Sequence, residues 1–157
     1  MTDYLDSDQR SQLMSRVKNR DTKIETTIRS LLHRRGFRFR KNVTNLPGKP
    51  DIILPKYNAV VFVHGCFWHG HENCNKGKLP STKINFWQKK ISENKTRDEE
   101  IKKQLFAADW RVAIVWECSF RNKTQQAITI EQLCDWVDSD TSYFEIPHEP
   151  NGRCHCQ

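Results

Sequence analysis

Apolar side chains at Ile24, Ile28, Leu31 and Leu32 keep the spacing of one helix face. Thr22 followed by Glu25 has capping-box spacing, so a helix starts there, and Gly36 is a terminator. Upstream, Leu13, Met14 and Val17 among polar and basic neighbours predict a weaker amphipathic helix over 8–20. Phe37-Arg38-Phe39-Arg40 alternates like a half-exposed strand, and Asn45-Leu46-Pro47-Gly48 reads as a turn. Short apolar runs at 52–54 and 60–63, split by a turn at 55–58, predict two strands, the second buried. From 85 to 108 a long helical pattern carries Trp87, Ile91, Asn94, Asp98, Ile101 and Leu105 on one stripe, so two polar groups interrupt an apolar face. A buried strand at 112–116 and a helix at 128–137 follow, and 138–157 reads as a loosely ordered tail. This order predicts an α/β fold, a mixed sheet flanked by helices. At 157 residues, with no repeat or linker, residues 1–137 are expected to form a single domain.

Charge narrows the partners. The chain has 26 basic and 19 acidic side chains, a net +7, and a pI near 9.2. Such a surplus favours polyanions, because lysines and arginines that neutralise phosphates release condensed counterions. No apolar run approaches the ~20 residues needed to span a bilayer, and the start, MTDYLDSDQR, is polar and acidic, unlike a secretory signal. Six cysteines in such a chain argue against a disulfide framework and for a reducing, cytoplasmic setting.

The densest chemistry follows the second strand: His64, Cys66, His69, His71 and Cys74, interleaved with Phe67 and Trp68. Cys66-x4-His71-x2-Cys74 supplies three ligands suited to tetrahedral zinc. Cys118, at the end of the 112–116 strand, is the expected fourth, so the site would pin the loop to the sheet. The competing reading is buried free cysteines beside a surface histidine. His64 and His69 could compete as ligands; His64, directly after a strand, is assigned to chemistry instead.

Asp51 opens an apolar strand, where a carboxylate is costly to bury without a cation or donors and is the hard ligand Mg²⁺ prefers. It could equally be a simple strand-start aspartate. Glu25 has a structural role open to it, completing the cap begun by Thr22. Asp98 can stand behind a catalytic histidine and fix its tautomer, or face solvent. Phe67, Trp68 and Trp87 are either core or apolar wedges that enter a base stack, and Met14 and Val17 on the basic N-terminal helix pose the same choice. Basic groups at 16–41 and 76–95 bracket the candidate metal sites, which fits a duplex lying across the domain.

LPGKPDIIL, VVFVHGCFWHGHENC, FWQKKISENKTRD and WRVAIVWEC together resemble the very-short-patch mismatch repair (Vsr) endonucleases, from about Met14 to about Trp136. The resemblance implies a restriction-endonuclease-like fold and a Mg²⁺-dependent nick of one DNA strand, 5′ to the T of a T:G mismatch left by 5-methylcytosine deamination. It implies Asp51 and the Val63 backbone carbonyl as Mg²⁺ ligands, with Glu25 in support. His64 and His69 would serve proton transfer and phosphate stabilisation, in either assignment. Cys66, His71, Cys74 and Cys118 would hold structural Zn²⁺. Phe67, Trp68 and Trp87 would enter the stack from the major groove, and Met14, on an N-terminal DNA-contacting helix over 1–20, would approach from the minor groove. A monomer acting on mismatched duplex DNA in the bacterial cytoplasm, at the nucleoid and beside other repair proteins, follows from the same resemblance.

The chain departs from the family pattern in three places. Val63 stands where Thr is usual, Gly70 where His is frequent, and His71 to Cys74 is one residue longer. The rival readings are a restriction or homing-type nuclease that cuts matched duplex, a zinc-stabilised DNA-binding module without catalysis, and a redox-sensing thiol protein.

Overall fold

A computed structural model describes residues 22–41, 43–72 and 74–147. The expected helix over 8–20, with Met14 and Val17, and the Cys154 and Cys156 tail lie outside them.

Among the described residues four strands form one mixed sheet in the order β1-β2-β3-β4: Ile52–Leu54, Ala59–His64, Arg111–Trp116 and Tyr143–Ile146. β1 runs antiparallel to β2, while β2, β3 and β4 are mutually parallel. A parallel pair needs a crossover. Helix α2 (Ile84–Ala107) makes the one between β2 and β3, and α3 (Lys123–Val137) the one between β3 and β4. Helix α1 (Lys23–Arg34) precedes the sheet.

Strand alternation sorts the side chains into two cores. Val61, Ala113, Val115, Phe144 and Ile146 pack with Ile28 and Leu32 of α1 and with Ile130, Leu133 and Val137 of α3. On the opposite face Ile53, Val60, Phe62, Ile114 and Trp116 meet Leu105 and Ile101 of α2. Each large aliphatic side chain fully buried this way contributes about 1.5–3 kcal/mol. Continuing that second alternation, Phe62 is followed by His64, which is therefore carried inward and is only 7% exposed.

Three local expectations change. Residues 37–40 do not form a strand; a single antiparallel bridge joins Arg40 to Ile53. Helix α3 begins five residues before the apolar pattern does, because the Asn122 side chain accepts from the Gln125 N–H and caps a polar first turn. The stretch read as a loose tail supplies β4, whose Val112↔Tyr143 to Val115↔Ile146 register adds a parallel edge strand.

Candidate active site

Asp51 sits where β1 begins. Its backbone N–H donates to the Val61 carbonyl at 3.1 Å, and its Oδ2 accepts the Val63 N–H at 2.7 Å. The carboxylate is thus fixed at the end of the β1–β2 pair. Burial dominates its electrostatics and raises its pKa to about 7; the Val63 N–H, Arg29 and His69 oppose that shift, while Glu25 adds to it.

Glu25 does not complete the cap. Thr22 caps α1 through its hydroxyl, which accepts from the Glu25 N–H. The Glu25 side chain turns inward instead, 4% exposed, with Arg29 Nη2 at 3.4 Å from its Oε2. Arg29 Nη2 also donates to the Asp51 carbonyl at 3.0 Å. This buried arginine escapes sequence reading, although its i, i+4 offset from Glu25 is the signal that would have found it.

His64 and His69 stack ring on ring, centroids 3.8 Å apart and planes within 2°. Burial and the neighbouring His69 pull the His64 pKa down to about 3, so His64 is neutral at ordinary pH. His69 Nδ1 lies 2.7 Å from Asp98 Oδ2. A carboxylate accepts, so Nδ1 carries the hydrogen and Nε2 keeps its lone pair. Donor atoms of His64, His69 and Asp98 lie within 4.8 Å of one another, but parallel stacked rings cannot both aim a lone pair at one ion. Their geometry suits a proton-transfer pair better than a chelate. Glu25, Asp51, Val63, His64, His69 and Asp98 all line one cavity of about 800 Å³.

Four further donors converge behind this cavity. Cys66, His71, Cys74 and Cys118 are buried, with one ligand atom from each within 4.8 Å of all the others. Cys118 Sγ is 3.5 Å from His71 Nδ1; the edge of a tetrahedron built on zinc–sulfur and zinc–nitrogen bonds is about 3.6 Å. The Cys118 sulfur and burial hold the Cys66 thiol well above its ordinary range, and burial raises Cys74. A central dication reverses that balance, because coordinated thiols deprotonate. The residues fit a tetrahedral metal. Gly77 permits the closure: a Cβ there would lie 2.3 Å from the His71 carbonyl oxygen.

Helix α2 grips the loop between these centres. Asn94 Nδ2 donates to the Trp68 carbonyl at 2.8 Å, and Lys95 pairs with Glu72 at 2.8 Å. Gly70 has φ +63, and a Cβ there would meet Ile91 and Lys95 at 2.5 Å. A histidine at this position would require the Ile91 and Lys95 side chains of α2 to shift. Beyond the grip, Phe67 and Trp68 (centroids 5.1 Å apart) and Trp87 (5.2 Å from Phe67) form a half-exposed trio. Phe86, 57% exposed and edge-on to Trp87, extends it, a position that no local sequence pattern marks.

A family model described as DNA mismatch endonuclease Vsr matches residues 2–76. The DNA mismatch endonuclease Vsr of Escherichia coli K12 is 42% identical over 149 residues, 93% of this chain and 94% of that protein. The chain belongs to the Vsr family. It is also similar to nicking enzymes: V.XorIIP of Xanthomonas oryzae pv. oryzae at 48% identity over 118 residues, 75% of this chain and 86% of that one, and V.NmeAIP of Neisseria meningitidis at 45% over 133 residues, 85% and 92%. This Vsr-family protein is a DNA endonuclease of mismatch repair. No helix among the described residues is long and apolar enough to cross a membrane.

Proposed function

We propose that the protein nicks one strand of duplex DNA 5′ to the T of a T:G mismatch, with Mg²⁺ at Asp51 and Zn²⁺ at the cysteine–histidine cluster. The observation that carries this reading is the shared cavity: a carboxylate held at a strand end, with a second carboxylate beside it, faces a stacked imidazole pair anchored by Asp98. Asp51, half-buried against its preference for charge, is a group that a hard dication would relieve.

Asp51 and the Val63 carbonyl would hold Mg²⁺ and Glu25 would support it; bound there, the ion supplies Lewis-acid stabilisation of charge on the phosphoryl oxygens. A backbone ligand makes the Val63 departure harmless. His69 takes the proton of the attacking water at Nε2, since the Asp98 contact at Nδ1 fixes its tautomer. His64, held neutral, donates one N–H to the phosphate and stays uncharged when the nucleophile arrives. The zinc cluster holds the loop that carries His69, and the protein acts as a monomer at the nucleoid of the bacterial cytoplasm.

Recognition rests on the Phe67, Trp68 and Trp87 trio, with Met14 approaching from the opposite groove. Inserting such wedges costs a few kcal/mol of stacking per step, and a T:G pair resists unstacking less than a matched one. The test uses end-labelled duplexes, matched or carrying one T:G, with Mg²⁺ or EDTA. A single nick 5′ to the mismatched T, only with Mg²⁺, supports the reading. Double-strand cleavage of the matched duplex would move the protein to a restriction-type activity, and cleavage in EDTA would remove the Mg²⁺.

A further inference from the structure

The half-buried carboxylate of Glu145 on β4 does nothing in the reading above, yet its environment is specific. Trp116 Nε1 donates to Glu145 Oε1 at 2.6 Å, and the Tyr143 hydroxyl donates to Oε2 at 2.6 Å. Both carboxylate oxygens are therefore engaged by directed donors, the short charge-assisted kind that fixes orientation. The consequence falls on the indole. Trp116, 8% exposed at the end of β3, stacks flat on His71, with centroids 4.2 Å apart and planes 7° apart. Its edge contacts are to His64 at 5.2 Å and 75° and to His69 at 6.4 Å and 73°. One ring therefore touches an imidazole of the cysteine–histidine cluster and both imidazoles of the cavity.

Packing alone leaves an indole some freedom to rock about its side-chain torsions. A hydrogen bond from its nitrogen removes that freedom. Any rotation that breaks the Glu145 contact must shift either the His71 stack or the edge against which His64 lies. His64 in turn is the face on which His69 stacks. β4 carries Glu145 and Tyr143 in register with Ile114 and Val112 of the β3 strand that ends in Trp116, so the support comes from the sheet itself.

We propose that Trp116, locked by Glu145 and Tyr143, is a positioning residue that sets the angle of the His64–His69 pair and braces it against the metal cluster. This rests on the reading in which those histidines move protons and contact phosphate. The experiment compares Glu145→Gln, Glu145→Leu and Trp116→Phe with the wild-type holoenzyme. It measures zinc per chain, duplex binding, single-turnover nicking of a T:G duplex with Mg²⁺, and imidazole NMR signals. Glu145→Gln keeps an acceptor for the indole, so nicking is expected within a few-fold of wild type. Glu145→Leu fills similar space without acceptors. It and Trp116→Phe should lower the single-turnover rate by roughly 10–100-fold, the usual cost of losing an outer-layer support. Zinc content and DNA affinity should hold, while the His64 and His69 resonances shift.

Wild-type nicking by Glu145→Leu and Trp116→Phe overturns the inference. So does a loss of zinc or of folded protein in step with the rate, or an equal loss in Glu145→Gln, since each would mark a merely structural or charge effect. His64→Ala and His69→Ala, run in parallel, separate the two levels. If they nick normally, the reading of the histidines fails; if they are inactive while Glu145→Leu is not, only the positioning inference fails.

Discussion

Asp98 Oδ2 lies 2.7 Å from His69 Nδ1, across the gap between α2 and the ligand loop. That contact determines which nitrogen of His69 is free to accept a proton. Asp98→Asn can present an N–H instead and invert the tautomer. The single-turnover nicking rate should fall at least tenfold, with mismatch affinity changed little, since such supports are worth roughly 10–100-fold. Single-turnover assays beside a binding isotherm check it, and an unchanged rate would remove Asp98 from the account.

Asp51 makes the metal-free protein pH-sensitive. Its folded pKa, about 7, lies above the ordinary 3.8. Between those values the folded state keeps a proton that the unfolded chain has lost, so stability falls as pH rises from about 4 to 7 and stays lowered above. Asp51→Asn, whose side-chain oxygen can still accept the Val63 N–H, should stabilise the metal-free protein at pH 8 by about 1–3 kcal/mol, discounted for partial solvent contact. The gain should vanish near pH 4. Mg²⁺ must displace the same proton, so its affinity should rise about tenfold per unit up to pH 7. Thermal melts with EDTA and calorimetric Mg²⁺ titrations at several pH values read both effects.

The cluster of Cys66, His71, Cys74 and Cys118 closes the loop onto β3. Cys118→Ser alters the one member of the cluster that comes from outside that loop. It should reduce bound zinc and lower Tm by roughly 10 °C, the equivalent of about 3–5 kcal/mol in a chain of this size. Elemental analysis and calorimetry report these together; full zinc occupancy in Cys118→Ser would show that another group is the fourth ligand.

Arg111 provides a control remote from the chemistry. Its guanidinium donates to the carbonyls of Thr141, Val137, Trp136 and Tyr57 and lies 4.5 Å over the Trp136 ring. It therefore ties the C-terminal end of α3 to β3. Arg111→Ala should cost about 2–4 kcal/mol while nicking per folded molecule stays at wild-type level. Denaturant unfolding and active-site-normalised assays distinguish this from a catalytic effect.

What the sequence made legible followed from local rules. The Thr22 cap, the β-branched run at 60–63 and the long α2 stripe each carry their own periodicity, and the ligand spacing from Cys66 to Cys74 is chemically unusual enough to stand out. Asn94 and Asp98 were visible as polar interruptions of an apolar stripe, and both turn out to grip the ligand loop. What stayed hidden depends on contacts distant along the chain. β4 is a short edge strand, Tyr143–Ile146, specified by pairing with β3 rather than by its own pattern. Glu145 acquires meaning only when that pairing brings it to Trp116, 29 residues away in sequence. Glu25 satisfies a cap motif so well that the motif masks its inward turn toward Arg29, for which the i, i+4 offset is the one local signal.

The aromatic trio should govern mismatch choice. Trp68→Ala removes a face against which a displaced base can stack, worth about 1–3 kcal/mol. Selectivity for T:G over matched duplex should fall between about fivefold and 150-fold, with the nick position unchanged. Competition binding with the two duplexes measures the ratio.

The central claim, that Asp51 and the two cavity histidines act together around one hard cation, is tested most directly with Asp51→Ala on an end-labelled T:G duplex. Binding and Mg²⁺-dependent nicking are measured in the same samples. Binding should stay within a few-fold of wild type while nicking falls by at least about three orders of magnitude, roughly 4 kcal/mol of lost transition-state stabilisation. Nicking at the wild-type rate by Asp51→Ala would contradict the account.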